Sequence, residues 1–270
     1  MVIFDRFKNG LYTASNSFNL LWKNKKLILY LGIPIFAKSI LDIIIYNLNA
    51  APEGFKVPFL HQSSIVFLVK ITESYSWTGY LALTIINLIF LSILTIESVA
   101  LTDHTYKIMK NKKIGFRQTF IECANKFKTA IVWAIVTFIP ISINFVATNI
   151  FSNIFIIRWL IVTLFITWSA ITVFVIQAIT IENLDLLKSI KKSFFTMKNI
   201  VIEFLGAIFW IGLIGLLTLL PFLILESLKI QYVQTVLIFS YIIMLTLSCI
   251  IPTVYTITKT LLFLEAKTKS

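Results

Sequence analysis

Charge, glycine and cysteine are all scarce in this chain of 270 residues. Charged side chains make up 13% of it, about half the share usual in a soluble domain, while apolar residues reach 58%. That balance excludes a water-soluble enzyme as the starting class. Eight glycines are too few for a collagen-like chain, and two cysteines are too few for a disulfide scaffold. Cys123 falls in a basic, polar stretch and Cys249 in an apolar run, so the two are expected at different depths and make poor disulfide partners. His61 and His104 are the only histidines, with no Cys or His at ligand spacing, so neither a metal site nor a cofactor is expected. The first 26 residues are polar and basic rather than a short apolar run before small residues, so no cleaved signal is expected.

What the chain has is apolar length. Its mean hydropathy is +0.91 and it carries 24 phenylalanines. Runs of about 20 apolar residues can cross a ~30 Å hydrocarbon core. Six such runs are expected to be spans: 27–48, 80–101, 130–151, 157–181, 200–225 and 233–257. The third and fourth are separated only by a short segment around Ser152 and Asn153, which predicts a tight helical hairpin. The expected fold is all-α: one polytopic membrane helix bundle over 1–270, with six transmembrane helices and cytoplasmic amphipathic juxtamembrane helices.

The connecting segments alternate in charge. Residues 1–26 carry Arg6, Lys8, Lys23, Lys25 and Lys26, and the segment after the second span carries Lys107, Lys110, Lys112, Lys113, Arg117, Lys126 and Lys128. The segment after the fourth span adds Lys188, Lys191, Lys192 and Lys198, and the tail adds Lys259, Lys267 and Lys269. The opposite side holds only Lys56, Lys70, Arg158 and Lys229. Such a bias predicts a multi-pass protein of the cytoplasmic (inner) membrane with both termini inside. The net charge of +12 then reads as a topology signal and as attraction to anionic lipid. Nucleic acid is not an expected partner, because the cations are scattered over several segments without a reading module.

Three of the basic segments, 3–22, 115–129 and 186–199, repeat one design. Phe4, Phe7, Leu11, Ala14, Phe18 and Leu21 follow i, i+3, i+4 spacing in the first; Phe116, Phe120, Cys123 and Phe127 follow it in the second; Leu187, Ile190, Phe194 and Met197 in the third. Each precedes an odd-numbered span. They read either as interfacial helices that organise anionic lipid or as elbows that anchor the bundle. The candidate lipid-contacting cations are Lys25, Lys26, Lys112, Lys113, Arg117, Lys191 and Lys192.

Few charged residues fall inside the spans. Lys38 and Asp42 are four apart on the first, so they share a helix face and can pair; that pairing is compatible with a structural role or with a substrate counter-ion. Asn87, Glu97 and Glu203 complete the candidate intramembrane polar site. Thr84, Asn87, Thr95, Ser98 and Thr102 form a stripe on the second span, as do Thr246, Cys249, Thr253, Thr256 and Thr260 on the sixth, which favours close helix contact over a solvated pathway. Gly212 and Gly215 read as a contact or bend in the fifth span. The outer segment 49–79 holds an apolar run too short to span, with Trp77 and Tyr80 fitting an aromatic belt.

No nucleophile, metal set or acid–base pair can be assembled, so catalysis is the least supported class. The function expected from the residues is a non-enzymatic scaffold or lipid-associated accessory protein of a bacterial cytoplasmic membrane. The alternative is a small transporter, channel or lipid flippase using the Lys38/Asp42 region. The expected partner is the lipid bilayer, with anionic lipids, and a second copy or another membrane protein is compatible with the pattern.

Several motifs add a resemblance. Arg6…Ser17…Leu21-Trp22…Lys25-Lys26-Leu27…Pro34, then Ala100…Gly115…Phe120…Ala124, then Ile181-Glu182…Leu187…Ser189…Ser193, and the Tyr255 region make the chain similar to an uncharacterised family of bacterial six-helix integral membrane proteins. That resemblance implies a six-helix inner-membrane protein and supplies no catalytic or ligand residue. A more distant likeness is to the membrane domains attached to some glycerophosphodiesterases, without their catalytic domain.

Overall fold

The computed structural model describes residues 2–49, 77–150, 155–227 and 234–269, with side chains of several helix ends beside the gaps left aside. The expected hairpin tip at Ser152 and Asn153, most of the outer segment 49–79, and the side chains of Asp42, Trp77 and Tyr80 lie outside the described residues. Among the described residues the chain is helix and connecting turns, without strand. The helices are α1 (Val2–Lys23), α2 (Ile28–Asn49), α3 (Trp77–Met109), α4 (Phe116–Ile150), α5 (Phe155–Ile171), α6 (Val175–Glu182), α7 (Leu186–Ser227) and α8 (Gln234–Lys269).

Their ends follow local chemistry. α1 stops where the Asn24 side-chain amide donates to the Leu20 carbonyl at 3.0 Å, and a single 3-10 turn, Lys25–Leu27, re-aims the chain into α2. α3 and α6 each end beside an asparagine in the left-handed region, Asn111 at φ 56° and Asn183 at φ 51°. Asparagine tolerates that conformation better than other side chains with a Cβ, so it closes a helix as glycine would.

Among the described residues, five helical stretches are long and apolar enough to cross a membrane: Thr84–Met109, Phe116–Asn144, Trp159–Glu182, Leu186–Thr218 and Ile242–Thr268. Their outward surfaces agree with that. Ile85, Ile89 and Ile93 on α3, and Ile135, Ile139 and Ile143 on α4, are exposed at four-residue spacing and form uncovered apolar rows. In water such rows would drive association; in a bilayer the acyl chains cover them. These are the features of a multi-pass membrane protein.

Helix boundaries differ from the sequence reading in places. The stretch expected as one helix over 157–181 is broken, with turns at 172–174 between α5 and α6. α7 is two helical stretches joined across a kink at Ile200, where φ is −125° and ψ is 22°, at the expected start of the fifth span, whereas α4 runs without such a kink from the expected amphipathic segment 115–129 into the third span. The core lies where α8 packs against α1, α2, α3, α6 and α7, with Tyr30, Leu101, Phe174, Ile257 and Phe263 enclosed.

Candidate functional site

The polar side chains gather at one end of the bundle, where α1, the start of α4 and α7, and the last turns of α3, α6 and α8 meet. α1 is fastened there to α7. Arg6 Nε donates to Glu203 Oε1 at 2.9 Å and Nη2 to Oε2 at 2.8 Å, a bidentate fork, while Nη2 also donates to the Asn199 carbonyl. The Glu203 side chain is only 2% exposed. Its hydrogen bonds raise the Arg6 guanidinium further above its ordinary value. A side chain entering the backbone ladder is a known cause of a sharp helix bend, and the Arg6 bond to the Asn199 carbonyl sits beside the bend at Ile200. One turn along α1, Gly10 lies against the Glu203 carbonyl and Gly206 of α7 lies against the Phe7 carbonyl, so closely that a Cβ on either glycine would overlap main chain.

The buried face of α1 is therefore Gly10, Thr13, Ala14, Ser17 and Leu21. Of the apolar stripe read from the sequence, Ala14 and Leu21 are buried and Phe7 and Phe18 half-buried, with the Phe7 ring 5.9 Å from that of Phe209 on α7, while Phe4 stays 72% exposed, as does Trp22 on the same flank at 75%. Backbones approach as closely as α1 and α7 do only across small residues. Gly10-x-x-x-Ala14 and Ser17 carried that signal in the sequence, whereas a Cβ added at Gly212 would meet no described atom of another element within 4 Å and one at Gly215 would meet only Ile251 Cδ1, at 3.5 Å.

A second cluster ties α3, α4 and α6 together. Asp103, buried near the end of α3, pairs with Lys107 one turn on and with Lys126 of α4 at 3.5 Å. Lys126 Nζ also donates to the Thr180 carbonyl of α6 at 2.7 Å, and Lys107 reaches Glu122. Beside them the Tyr30 hydroxyl meets His104 Nδ1 at 2.7 Å, joining α2 to α3. In the sequence these cations carried only topology; their pairing depends on helix neighbours that spacing does not reveal.

The break between α5 and α6 is held by α7. Ser193 Oγ donates to the Ile171 carbonyl at 2.6 Å and accepts from the Phe174 N–H at 3.0 Å, closing both sides of the interruption. Ser189 Oγ donates to the Leu184 carbonyl at 3.2 Å, and Glu182 takes Lys192 at 3.5 Å and Lys267 at 3.4 Å. One turn beyond the break, Gln177 is fully buried and neither atom of its amide has a partner among the described residues.

The candidate intramembrane residues fall on three helices, Lys38 and Asp42 on α2, Asn87 and Glu97 on α3, and Glu203 on α7. Lys38 of α2 holds its ammonium 5.9 Å from the Phe90 ring of α3. Asn87 is half-buried on α3, and so is Glu97, whose Oε2 is enclosed without a hydrogen-bond partner among the described residues. Glu203 belongs to the clasp with Arg6. Among the candidate lipid-contacting cations, Lys25 lies 4.7 Å over the Trp22 ring, and Lys26, Lys112, Lys113, Arg117 and Lys191 are exposed. Lys192 is half-buried and directed to Glu182. The hydroxyls of the polar stripes largely bond within their own helices, as in Thr95 to the Leu91 carbonyl and Thr253 to the Cys249 carbonyl, both at 2.7 Å.

An open cleft of about 580 Å³ lies at the same end, between α1, α3 and α8. Asn16, Asn19, Lys23 and Glu265 give it polar walls over Leu20 and Met109. Among the described residues no three His, Cys, Asp or Glu side chains are grouped to hold a metal ion. Comparison with protein-family models, with curated proteins and with solved structures finds no match to this chain.

Proposed function

We propose that this chain is a six-span, non-enzymatic scaffold or lipid-associated accessory protein of a bacterial cytoplasmic membrane, with both termini on the cytoplasmic side. The sixth span in this reading is α2, and the orientation rests on the bias of Lys and Arg toward the charged end. One observation carries the functional part: α1 is clasped to α7 through its small-residue face, which leaves an aromatic edge at Phe4 and Trp22 uncovered beside an exposed edge of Asp5, Lys8, Tyr12 and Asn19. A helix with those two edges lies with the first in the acyl–headgroup boundary and the second in water. Arg6, Glu203, Asp103, Lys107 and Lys126 join helices to one another, which supports a holding role for the charged end.

The test is solvent access at membrane depth. With Cys123 and Cys249 changed to Ser, Lys38→Cys, Asn87→Cys and Glu97→Cys are expected to resist a membrane-impermeant maleimide applied from either side. Rapid labelling at 38 and 87 would mean an aqueous cavity between the spans. The scaffold reading would then give way to a small transporter, channel or lipid flippase using Lys38 and Asp42.

A further inference from the structure

From Thr253 to Phe263 on α8, every residue is buried except Tyr255 and Lys259, which are half-buried and one turn apart on the same flank. The Lys259 ammonium lies 4.6 Å over the Tyr255 ring. Among the described residues it has no carboxylate, carbonyl or other acceptor within bonding distance, and the Tyr255 hydroxyl likewise has no partner. Every other cation described at this end with a buried or half-buried position has an acceptor close by, as Arg6, Lys107, Lys126 and Lys192 do. A half-buried ammonium without a counter-ion is costly and is stabilised by an anion from elsewhere.

Its depth narrows the choice. α7 and α8 run antiparallel, and the Phe204 and Tyr255 rings face each other at 6.5 Å. One turn further toward the charged end, Lys259 is level with the bend at Ile200, where the Lys-rich start of α7 gives way to its apolar length. In a bilayer that is the level of lipid phosphates. Aromatic walls and an ammonium beside a phenol suit a phosphoryl group carried on an apolar body, with the cation and the hydroxyl each giving one hydrogen bond to its oxygens.

We propose that Lys259 and Tyr255 form a binding site for the phosphoryl group of a phospholipid. The inference rests on the membrane reading above only in placing α8 in a bilayer, and its test does not depend on whether the cavity near Lys38 is dry. Native mass spectrometry of the detergent-solubilised chain with added phosphatidylglycerol is the measurement. The wild type should retain the phospholipid at least tenfold more than a diacylglycerol of the same chains. Lys259→Met should reduce that retention to the level of the diacylglycerol, Tyr255→Phe should reduce it about threefold, and Lys259→Arg should keep most of it. Inorganic phosphate distinguishes the sources: failure to displace at millimolar concentration assigns the site to the lipid, whereas displacement keeps the phosphoryl site and makes its carrier soluble. Equal retention of phospholipid and diacylglycerol by the wild type, which needs no variant to fold, overturns the proposal. So does undiminished retention by Lys259→Met.

Discussion

At the scale of single residues, the Arg6–Glu203 fork shows how one buried charge sets the position of a helix. Glu203 is almost fully enclosed, so its stability depends on both arms of the guanidinium. Removing the cation leaves a carboxylate without its counter-charge inside the packing, at a cost of about 3 kcal/mol. Arg6→Met is therefore expected to destabilise the chain by about that amount, and Glu203→Gln by less, because the amide is neutral and still accepts a hydrogen bond. Equilibrium unfolding in detergent of the two single variants and the double variant measures the coupling. A coupling below about 0.5 kcal/mol would mean that the fork does not hold α1. Neither the pairing nor its depth was legible in the sequence, where Arg6 was one cation among several before the first span and Glu203 one carboxylate entering another. The close approach of Gly10 and Gly206 was half legible: the small-residue spacing of α1 is there to read, but its partner on α7 is nearly two hundred positions away.

At the scale of elements, helix existence follows from composition and interruptions do not. The apolar runs were long enough to specify helices wherever residues are described, and α7 bends at the position where its composition changes from lysine-rich to apolar. The break at 172–174 carries no proline or glycine; its only local sign is the β-branched run Ile171-Thr172-Val173, which weakens helix without forbidding it. Tertiary contact decides the matter, since Ser193 supplies both a donor and an acceptor to backbone groups that the break frees. Ser193→Ala leaves a carbonyl and an N–H unpaired in the packing and should lower stability by about 1–3 kcal/mol. Ser189→Ala, which removes one longer bond, should cost less. Thermal unfolding of both variants in the same detergent gives the order, and a smaller loss at Ser193 than at Ser189 would show that the break does not depend on α7. The Ser189 and Ser193 positions stood out in the sequence only as part of a motif; the structure supplies their physical reason.

At the scale of the whole molecule, the separation of charge is the strongest constraint. The ion pairs of Arg6, Asp103, Lys126 and Glu182 all lie at one end of the bundle, as do the exposed Lys112, Lys113 and Lys191. A bundle most of whose described cations collect at one end and whose lateral surface carries rows of isoleucine has one favourable way to sit in a bilayer, with that end at a headgroup surface. This arrangement was legible from charge alternation alone, because it needs only the order of spans and segments and no knowledge of which helices touch. It yields a sharp expectation for intact cells. Single cysteines replacing Lys8, Lys112, Lys191 and Lys267, in a background with Cys123 and Cys249 changed to Ser, should all escape an impermeant thiol reagent until the membrane is opened, and then label together. Those positions lie on α1, between α3 and α4, on α7 and on α8, so concordant labelling requires each connected pair of spans to return to the same face. If one of the four labelled from outside while the others did not, an odd number of crossings would separate it from them, and the six-span order with both termini inside would fail at that segment.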